Sequence, residues 1–464
     1  MSLAASGDMI LGVPPIDQAI QQIPRGRSIA IFGESGVGKT VFGIQMARHV
    51  ASQGGKVLYL LTVQGRDSLL EEAEHLGLSI DELVKSGNIK IKRLGEPLDS
   101  NESQQFLIDL HSELERFRPD LIIIDELTDL LAPLDSSTLV GMGGRMILEG
   151  ASATGAVLVG LCDAYLFKLR PEVAFYILHR VDIALRLRKR QTKTGFILRV
   201  MDVEKARGVY VNLQSVEYAI SRVLGGVQSI GLPAEAQTVA QAVEEGTFET
   251  GIAQLDETLG GGIPRGTVIL VLGPVGAGKC VLAAQTCLRV ADRGERAAYA
   301  SFKSSEVSIR KMFDDLGLSE ENLDNLKIVS VVPQALRSLD QLTEIIGSIR
   351  KFDPDFIALD GYGGAFADAL GGWLTEVLTR HLQIAAKRSG ISVMLTAPCS
   401  KPLEPEGCVR YLAQYSDIVL ALVRSLGEGS VERRLKILKA PNPEVEGVEF
   451  KLGLLKDGMR AVQP

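Results

Sequence analysis

Residues 23–40 read IPRGRSIAIFGESGVGKT, and residues 263–280 read IPRGTVILVLGPVGAGKC. Each is an apolar run, a glycine-rich turn closing on Gly-Lys, and the start of an amphipathic stretch. In the first, Gly33-Glu34-Ser35-Gly36-Val37-Gly38-Lys39-Thr40 satisfies GxxxxGK[ST] in full, in the strand-to-helix setting that gives the pattern its meaning. Glycines let backbone N–H groups curl around phosphate oxygens, and a helix N-terminus adds positive potential. Lys39 is then placed to reach terminal phosphates and the Thr40 hydroxyl to ligate Mg²⁺. In the second, Gly273-Pro274-Val275-Gly276-Ala277-Gly278-Lys279-Cys280 keeps the cradle but ends in a thiol. Mg²⁺ prefers oxygen, so this site is expected to bind nucleotide and to hydrolyse it slowly or not at all.

The two stretches belong to a long internal duplication. Lys39 and Lys279 are 240 positions apart, and LGLS at 76–79 returns at 316–319 with the same offset. RFRPDLIIIDELTDLL (116–131) matches KFDPDFIALDGYGGAF (351–366) at an offset of 235. A period this long means duplicated domains rather than a solenoid. In the first copy SIAIFG, KVLYLLTV, IKIKRL, LIIIDEL and AVLVGLC read as buried strands, with TVFGIQMARHVASQ and ESQQFLIDLHSELERF as helices between them. Such alternation predicts an α/β fold, a mostly parallel twisted sheet flanked by helices, followed in each copy by a late hairpin. The expected domains are 1–225 and 226–464, with the Gly-, Ala-, Gln- and Glu-rich stretch 226–247 as the junction.

Composition narrows the classes. A 464-residue chain with 46% hydrophobic and 23% charged residues is ordinary for globular domains. The net charge of −7 argues against a protein built mainly to coat nucleic acid. Five scattered cysteines form no disulfide framework, and neither a signal peptide nor a run long enough to span a bilayer is read, so a cytoplasmic protein without membrane attachment is expected.

Carboxylates complete the phosphate sites. Asp125 ends the run LIIID, where it can hold Mg²⁺ through water, and a cation explains a carboxylate in so apolar a strand. Glu126 either orients or deprotonates an attacking water or merely caps the following turn. In the second copy Asp360 ends FIALD as the matching metal position, but Gly361 stands where Glu126 stood.

With these residues in view, the chain resembles the KaiC branch of the RecA-like ATPases in its double-domain form. The carriers are LGVPPIDQAIQQIPRGRSIAIFGESGVGKT and TGIAQLDETLGGGIPRGTVILVLGPVGAGK, and the likeness runs over nearly the whole chain. It implies tandem RecA-like P-loop NTPase domains in a homo-oligomeric ring, typically of six subunits, with ATP at the subunit interfaces. The family's Lys-x-Arg-Gly element, which reaches a neighbour's nucleotide, is matched by Lys205, Arg207 and Gly208. A solvated hairpin end is the alternative. The second copy keeps Lys439 but has Pro441 in place of the arginine.

The family's paired glutamates after the second strand are absent: LLTVQGRD and YASFKSSE align as Gln64-Gly65 and Lys303-Ser304. Gln64 can position a water but not take its proton, leaving Glu126, or another carboxylate such as Asp67, for hydrolysis at the first site. Ala413 and Gln414 stand where family members carry a phosphorylated Ser-Thr pair, so autokinase activity is not expected.

The leading expectation is thus a slowly hydrolysing, ATP- and Mg²⁺-binding ring protein. Its first domain turns ATP over, its second holds nucleotide, and the state of both controls an unidentified protein partner. Two alternatives stay open. One is a nucleic-acid-dependent ATPase using the basic run Arg186, Arg188, Lys189, Arg190 and Lys193, for which a solvated hairpin is the preferred reading. The other is a pseudo-ATPase scaffold that uses ATP as glue.

Overall fold

The computed structural model describes residues 7–94, 99–135, 138–139, 154–192, 195–229, 246–317, 324–331, 336–405, 408–426, 431–455 and 458–462. Lys193 of the basic run and residues 230–245 of the expected junction lie outside these. The chain divides into two units, each built on its own nine-stranded sheet.

The first unit runs β1 (Ser28–Gly33), α1 (Lys39–Ser52), β2 (Val57–Leu61), α2 (Arg66–His75), β3 (Ile89–Arg93), α3 (Ser100–Phe117), β4 (Leu121–Asp125) and β5 (Val157–Asp163). Then come α4 (Ala164–Leu169), α5 (Pro171–Arg180), β6 (Ile183–Gln191), β7 (Ile197–Ala206), β8 (Ser215–Ser221) and β9 (Gly226–Ser229). The sheet order is β9-β8-β7-β6-β1-β5-β4-β2-β3. Strands β6-β1-β5-β4-β2-β3 pair in parallel, and β6 to β9 form an antiparallel meander. Four residues of the stretch read as junction, Gly226–Ser229, are the edge strand of this sheet.

Along the sequence the second copy repeats the plan: β10 (Val268–Gly273), α6 (Lys279–Asp292), β11 (Ala297–Ser301), α7 (Glu306–Asp315), β12 (Leu326–Ser330), α8 (Leu339–Phe352) and β13 (Phe356–Asp360). It continues with α9 (Gly372–Ser389), β14 (Ser392–Pro398), α10 (Cys408–Gln414), β15 (Ile418–Leu426), β16 (Val431–Lys439), β17 (Glu449–Leu455) and β18 (Gly458–Ala461). Its order, β12-β11-β13-β14-β10-β15-β16-β17-β18, is that of the first sheet strand for strand. These are the tandem α/β domains that the duplicated motifs predict, in the RecA-like form that the resemblance implies.

The central strands are apolar on both faces because helices cover both, as parallel sheets require. All five residues of β2 and of β4 are buried. Helix α1 lays Val41, Phe42, Ile44, Met46 and Ala47 into this core, each larger side chain contributing roughly 1.5–3 kcal/mol. Gly43 lets the helix approach the sheet, since a Cβ there would stand 2.7 Å from the Tyr59 hydroxyl. The order puts β1 between β5 and β6, so the carboxyl ends of β1, β4 and β5 open onto one crevice, where ligands of such sheets bind.

Candidate functional site

In the first loop Gly36 and Gly38 have φ of 74° and 103°, left-handed backbone that glycine adopts at little cost. The turn they make starts α1 at Lys39 and folds its side chain back over the loop. Lys39 Nζ donates to the Gly33 carbonyl at 3.1 Å and is 3.4 Å from both Glu126 Oε1 and Asp163 Oδ2. The lysine is 7% exposed, so these carboxylates compensate a charge largely removed from water.

Asp125 is buried at the end of β4 and accepts from the Tyr59 hydroxyl at 3.2 Å and from Gln64 Nε2 at 3.5 Å. Burial raises it to about 6, against the pull of hydrogen bonds from Tyr59 and Thr40. Thr40 and Asp125 thus meet, and a hydroxyl beside a carboxylate is the hard oxygen donor set that suits Mg²⁺. Glu126 is fixed through its backbone N–H, which donates to Thr62 Oγ1 at 3.1 Å, while the Thr128 hydroxyl donates to its Oε2 at 3.3 Å. Burial raises Glu126 to about 7; Lys39 opposes this, and Asp125, Asp129 and Asp163 add to it. A cavity of about 570 Å³ opens here, lined by Glu34, Ser35, Val63, Glu126, Asp129 and Asp163 among others.

Asp163 is a member of this group that no motif in the sequence marks. It ends β5 opposite Gly33 in the ladder. Its Oδ1 accepts from the Tyr165 and Leu166 N–H groups as the N-cap of α4, while its Oδ2 faces Lys39. The signal available in sequence was an aspartate directly after the apolar run AVLVGLC.

The second loop has the same backbone, with φ of 77° at Gly276 and 107° at Gly278. Lys279 Nζ donates to the carbonyls of Gly273 at 2.7 Å and Pro274 at 2.9 Å. Fully buried Asp360 accepts from the Thr396 hydroxyl at 2.7 Å. Lys303 Nζ lies 3.3 Å from Asp360 Oδ1 and 3.0 Å from Cys280 Sγ. Gly361 takes the place of Glu126, and Pro398, opposite Gly273, that of Asp163. Arg424 and Arg433 donate to the Val275 and Gly276 carbonyls at 3.4 and 3.5 Å.

One alignment read from sequence is corrected by the strand ladders. Leu61 pairs with Asp125 and Ser301 with Asp360, so Lys303 corresponds to Val63, and Gln64 to Ser304. Shifting one residue would turn every side chain of the strand to the other face, which is why the register is decisive.

The hairpin residues are not brought to the loops of their own units. Lys205 Nζ donates to the carbonyls of Leu178 at 2.8 Å and His179 at 2.9 Å, at the end of α5. Lys439 does the same for Gln414 and Ser416, at 3.5 and 2.6 Å. Arg207 is exposed, and Asp67 is exposed in the first turn of α2. In the basic run, Arg186, Arg188 and Arg190 pair with Glu204, Asp202 and Glu217 respectively. Lys189 leans over the first loop, its Nζ 3.3 Å from where a Cβ on Gly36 would stand. No helix among the described residues is long and apolar enough to cross a membrane.

Comparison with known proteins agrees with this architecture. A model of the KaiC ATPase family matches the chain twice, over residues 10–230 and 248–446. The circadian clock oscillator protein KaiC of Picosynechococcus sp. is 23% identical over 435 residues, 90% of this chain and 82% of that protein. That of Acaryochloris marina is 23% identical over 353 residues, 73% of this chain, which spans 66% of its length. The circadian clock protein KaiC2 of Synechocystis sp. is 26% identical over 356 residues, 73% of this chain and 60% of that protein.

Proposed function

The chain belongs to the KaiC family of ATPases, and from that premise we propose that it binds ATP at both loops, hydrolyses it slowly at the first and mainly holds it at the second. The observation that carries this reading is the contrast in carboxylates. Lys39 has Glu126 and Asp163 within 3.4 Å, whereas the corresponding positions in the second unit are Gly361 and Pro398.

At the first loop the N–H groups of residues 33–40 cradle the phosphates, and Lys39 turns from its two carboxylates to the terminal phosphate. Thr40 and Asp125 would hold Mg²⁺, which when bound supplies positive charge to the phosphate oxygens. Glu126, anchored by Thr62 and Thr128, faces the same cavity and takes the proton of an attacking water, with Gln64 beside Asp125 as a positioning group. At the second loop residues 273–280 keep the cradle around Lys279, with Asp360 where the first unit has Asp125.

The wider role follows family membership rather than geometry. The chain assembles into a ring, six subunits being the family's usual number, with nucleotide at the interfaces and exposed Arg207 reaching a neighbour's site. Nucleotide state then controls a protein partner in the cytoplasm, as a signalling or assembly switch. Autokinase activity is not part of this reading. Nor is nucleic acid, because three arginines of the hairpin are already paired with carboxylates.

Phosphate release by the intact chain tests the division of labour. The expected result is turnover abolished in Lys39→Ala and largely kept in Lys279→Ala; equal loss in both contradicts it. A second reading, an inert scaffold glued by ATP, is favoured by Val63, an apolar residue of the cavity wall two places beyond β2. Under that reading neither the parent chain nor an Asp125→Asn control releases phosphate over hours.

A further inference from the structure

We propose that the second phosphate site carries its own cation: the Lys303 ammonium stands between Cys280 and Asp360, where the first site offers Thr40 and Asp125 to Mg²⁺, so the second site binds a nucleoside triphosphate without a divalent metal. The inference rests on the reading of the second loop as a nucleotide site.

The two units share one frame, so the comparison can be made position by position. With Leu61 opposite Asp125 and Ser301 opposite Asp360, the residue two places beyond is Val63 in one unit and Lys303 in the other. Val63 is 49% exposed and lines the open cavity. Lys303 instead runs along Gly361, its Cβ, Cγ and Cδ each within 3.7 Å of where a Cβ there would stand. Its Nζ arrives 3.0 Å from Cys280 Sγ and 3.3 Å from Asp360 Oδ1. The substitution at Cys280, the glycine at 361 and the lysine at 303 therefore act on one point in space.

Charge points the same way. Around the first loop Lys39, with Lys189 over Gly36, faces three carboxylates, Asp125, Glu126 and Asp163. A polyphosphate entering there meets net negative charge and needs added cation. Around the second loop two ammonium groups, Lys279 and Lys303, face one carboxylate, Asp360. Arg424 and Arg433 on the loop carbonyls add to the positive field. Mg²⁺ does not fit this donor set. It would have to displace an ammonium, accept a thiol as ligand and sit beside two like charges. Burial pushes the Cys280 thiol up, with Asp360 adding to it, so it remains a neutral S–H. Burial alone would lower Lys303, but the Asp360 carboxylate beside it more than offsets this and holds it protonated.

The test is equilibrium dialysis of the full chain with radiolabelled ATP, in Mg²⁺ and in EDTA. The expected stoichiometry is two nucleotides per chain in Mg²⁺ and one in EDTA, with the EDTA-resistant one lost in Lys279→Ala. Lys303→Val, which installs the first unit's residue, is expected to weaken EDTA-resistant binding by about tenfold or more, as loss of a charged phosphate contact does. Mg²⁺-dependent binding at the first loop reports that this variant is folded. If a Lys279-dependent site exists in Mg²⁺ but weakens more than about tenfold in EDTA, the inference is overturned and the nucleotide-holding reading survives. Unchanged EDTA-resistant binding in Lys303→Val also overturns it. Absence of any Lys279-dependent site in both conditions overturns the nucleotide reading of the second loop itself.

Discussion

In the first unit, the lysine that opens the helix after the loop is met by Glu126 and Asp163. In the second, the equivalent lysine is met by two loop carbonyls and has another lysine nearby. Strand order, ladder register and loop torsions are the same in both. The difference therefore lies in four or five side chains at the carboxyl ends of three strands. A phosphate cradle is a property of the backbone, and duplication preserves it. Metal binding and water activation are properties of side chains, and they can be lost while the cradle stays.

The two loops differ most in what they lose with their lysines. Lys39→Ala is expected to lower phosphate release at least about 100-fold, the scale on which a transition-state charge contact acts, while Lys279→Ala changes it less than about threefold. Comparable losses in the two variants would mean that the units work as equals. Glu126→Gln comes next: turnover should fall roughly 100-fold, as for loss of a general base, with ATP still bound in dialysis. Loss of binding in parallel would reassign Glu126 to structure.

Asp163 separates a charge role from a capping role. Asp163→Asn keeps an N-cap acceptor for α4, so thermal stability should move by less than about 0.5 kcal/mol. ATP should bind about tenfold more tightly, because Lys39 no longer leaves a charged partner for the phosphate; a pure stability effect would show instead as a lower melting temperature at unchanged affinity. The smallest effect concerns the helix–sheet contact. Gly43→Ala should cost about 1–2 kcal/mol by pressing a methyl on the Tyr59 hydroxyl, whereas Ala283, its counterpart, already carries that methyl. Equal tolerance of a methyl at both positions in denaturant titrations would show that Tyr59 is not constrained as described.

Much of this is legible in the sequence alone, because the deciding features are local. Gly33 to Thr40 and Asp125 announce themselves by spacing and by a charge at the end of an apolar run. Asp163 does not, since its role depends on β5 being the neighbour of β1, a fact of strand order that no short stretch contains. Lys303 was visible as a residue but aligned one place off, with Gln64, because only the pairing of Ser301 with Asp360 sets which side chain faces the crevice. Gly226–Ser229 reads as linker because a four-residue strand with a glycine has too little pattern, and the ladder with β8 alone makes it sheet. Lys205 and Lys439 matched a motif in sequence, yet in the fold each holds the carbonyl end of a helix.

The most direct measurement is the fate of bound ATP in the two single-site chains. Chains loaded with radiolabelled ATP and Mg²⁺, freed of excess nucleotide and sampled over hours, report which loop converts its ligand. Intact ATP is expected on Lys39→Ala, where only the second loop is occupied, and conversion to ADP on Lys279→Ala, where only the first is. ADP accumulating on Lys39→Ala at the rate of the parent chain would contradict it.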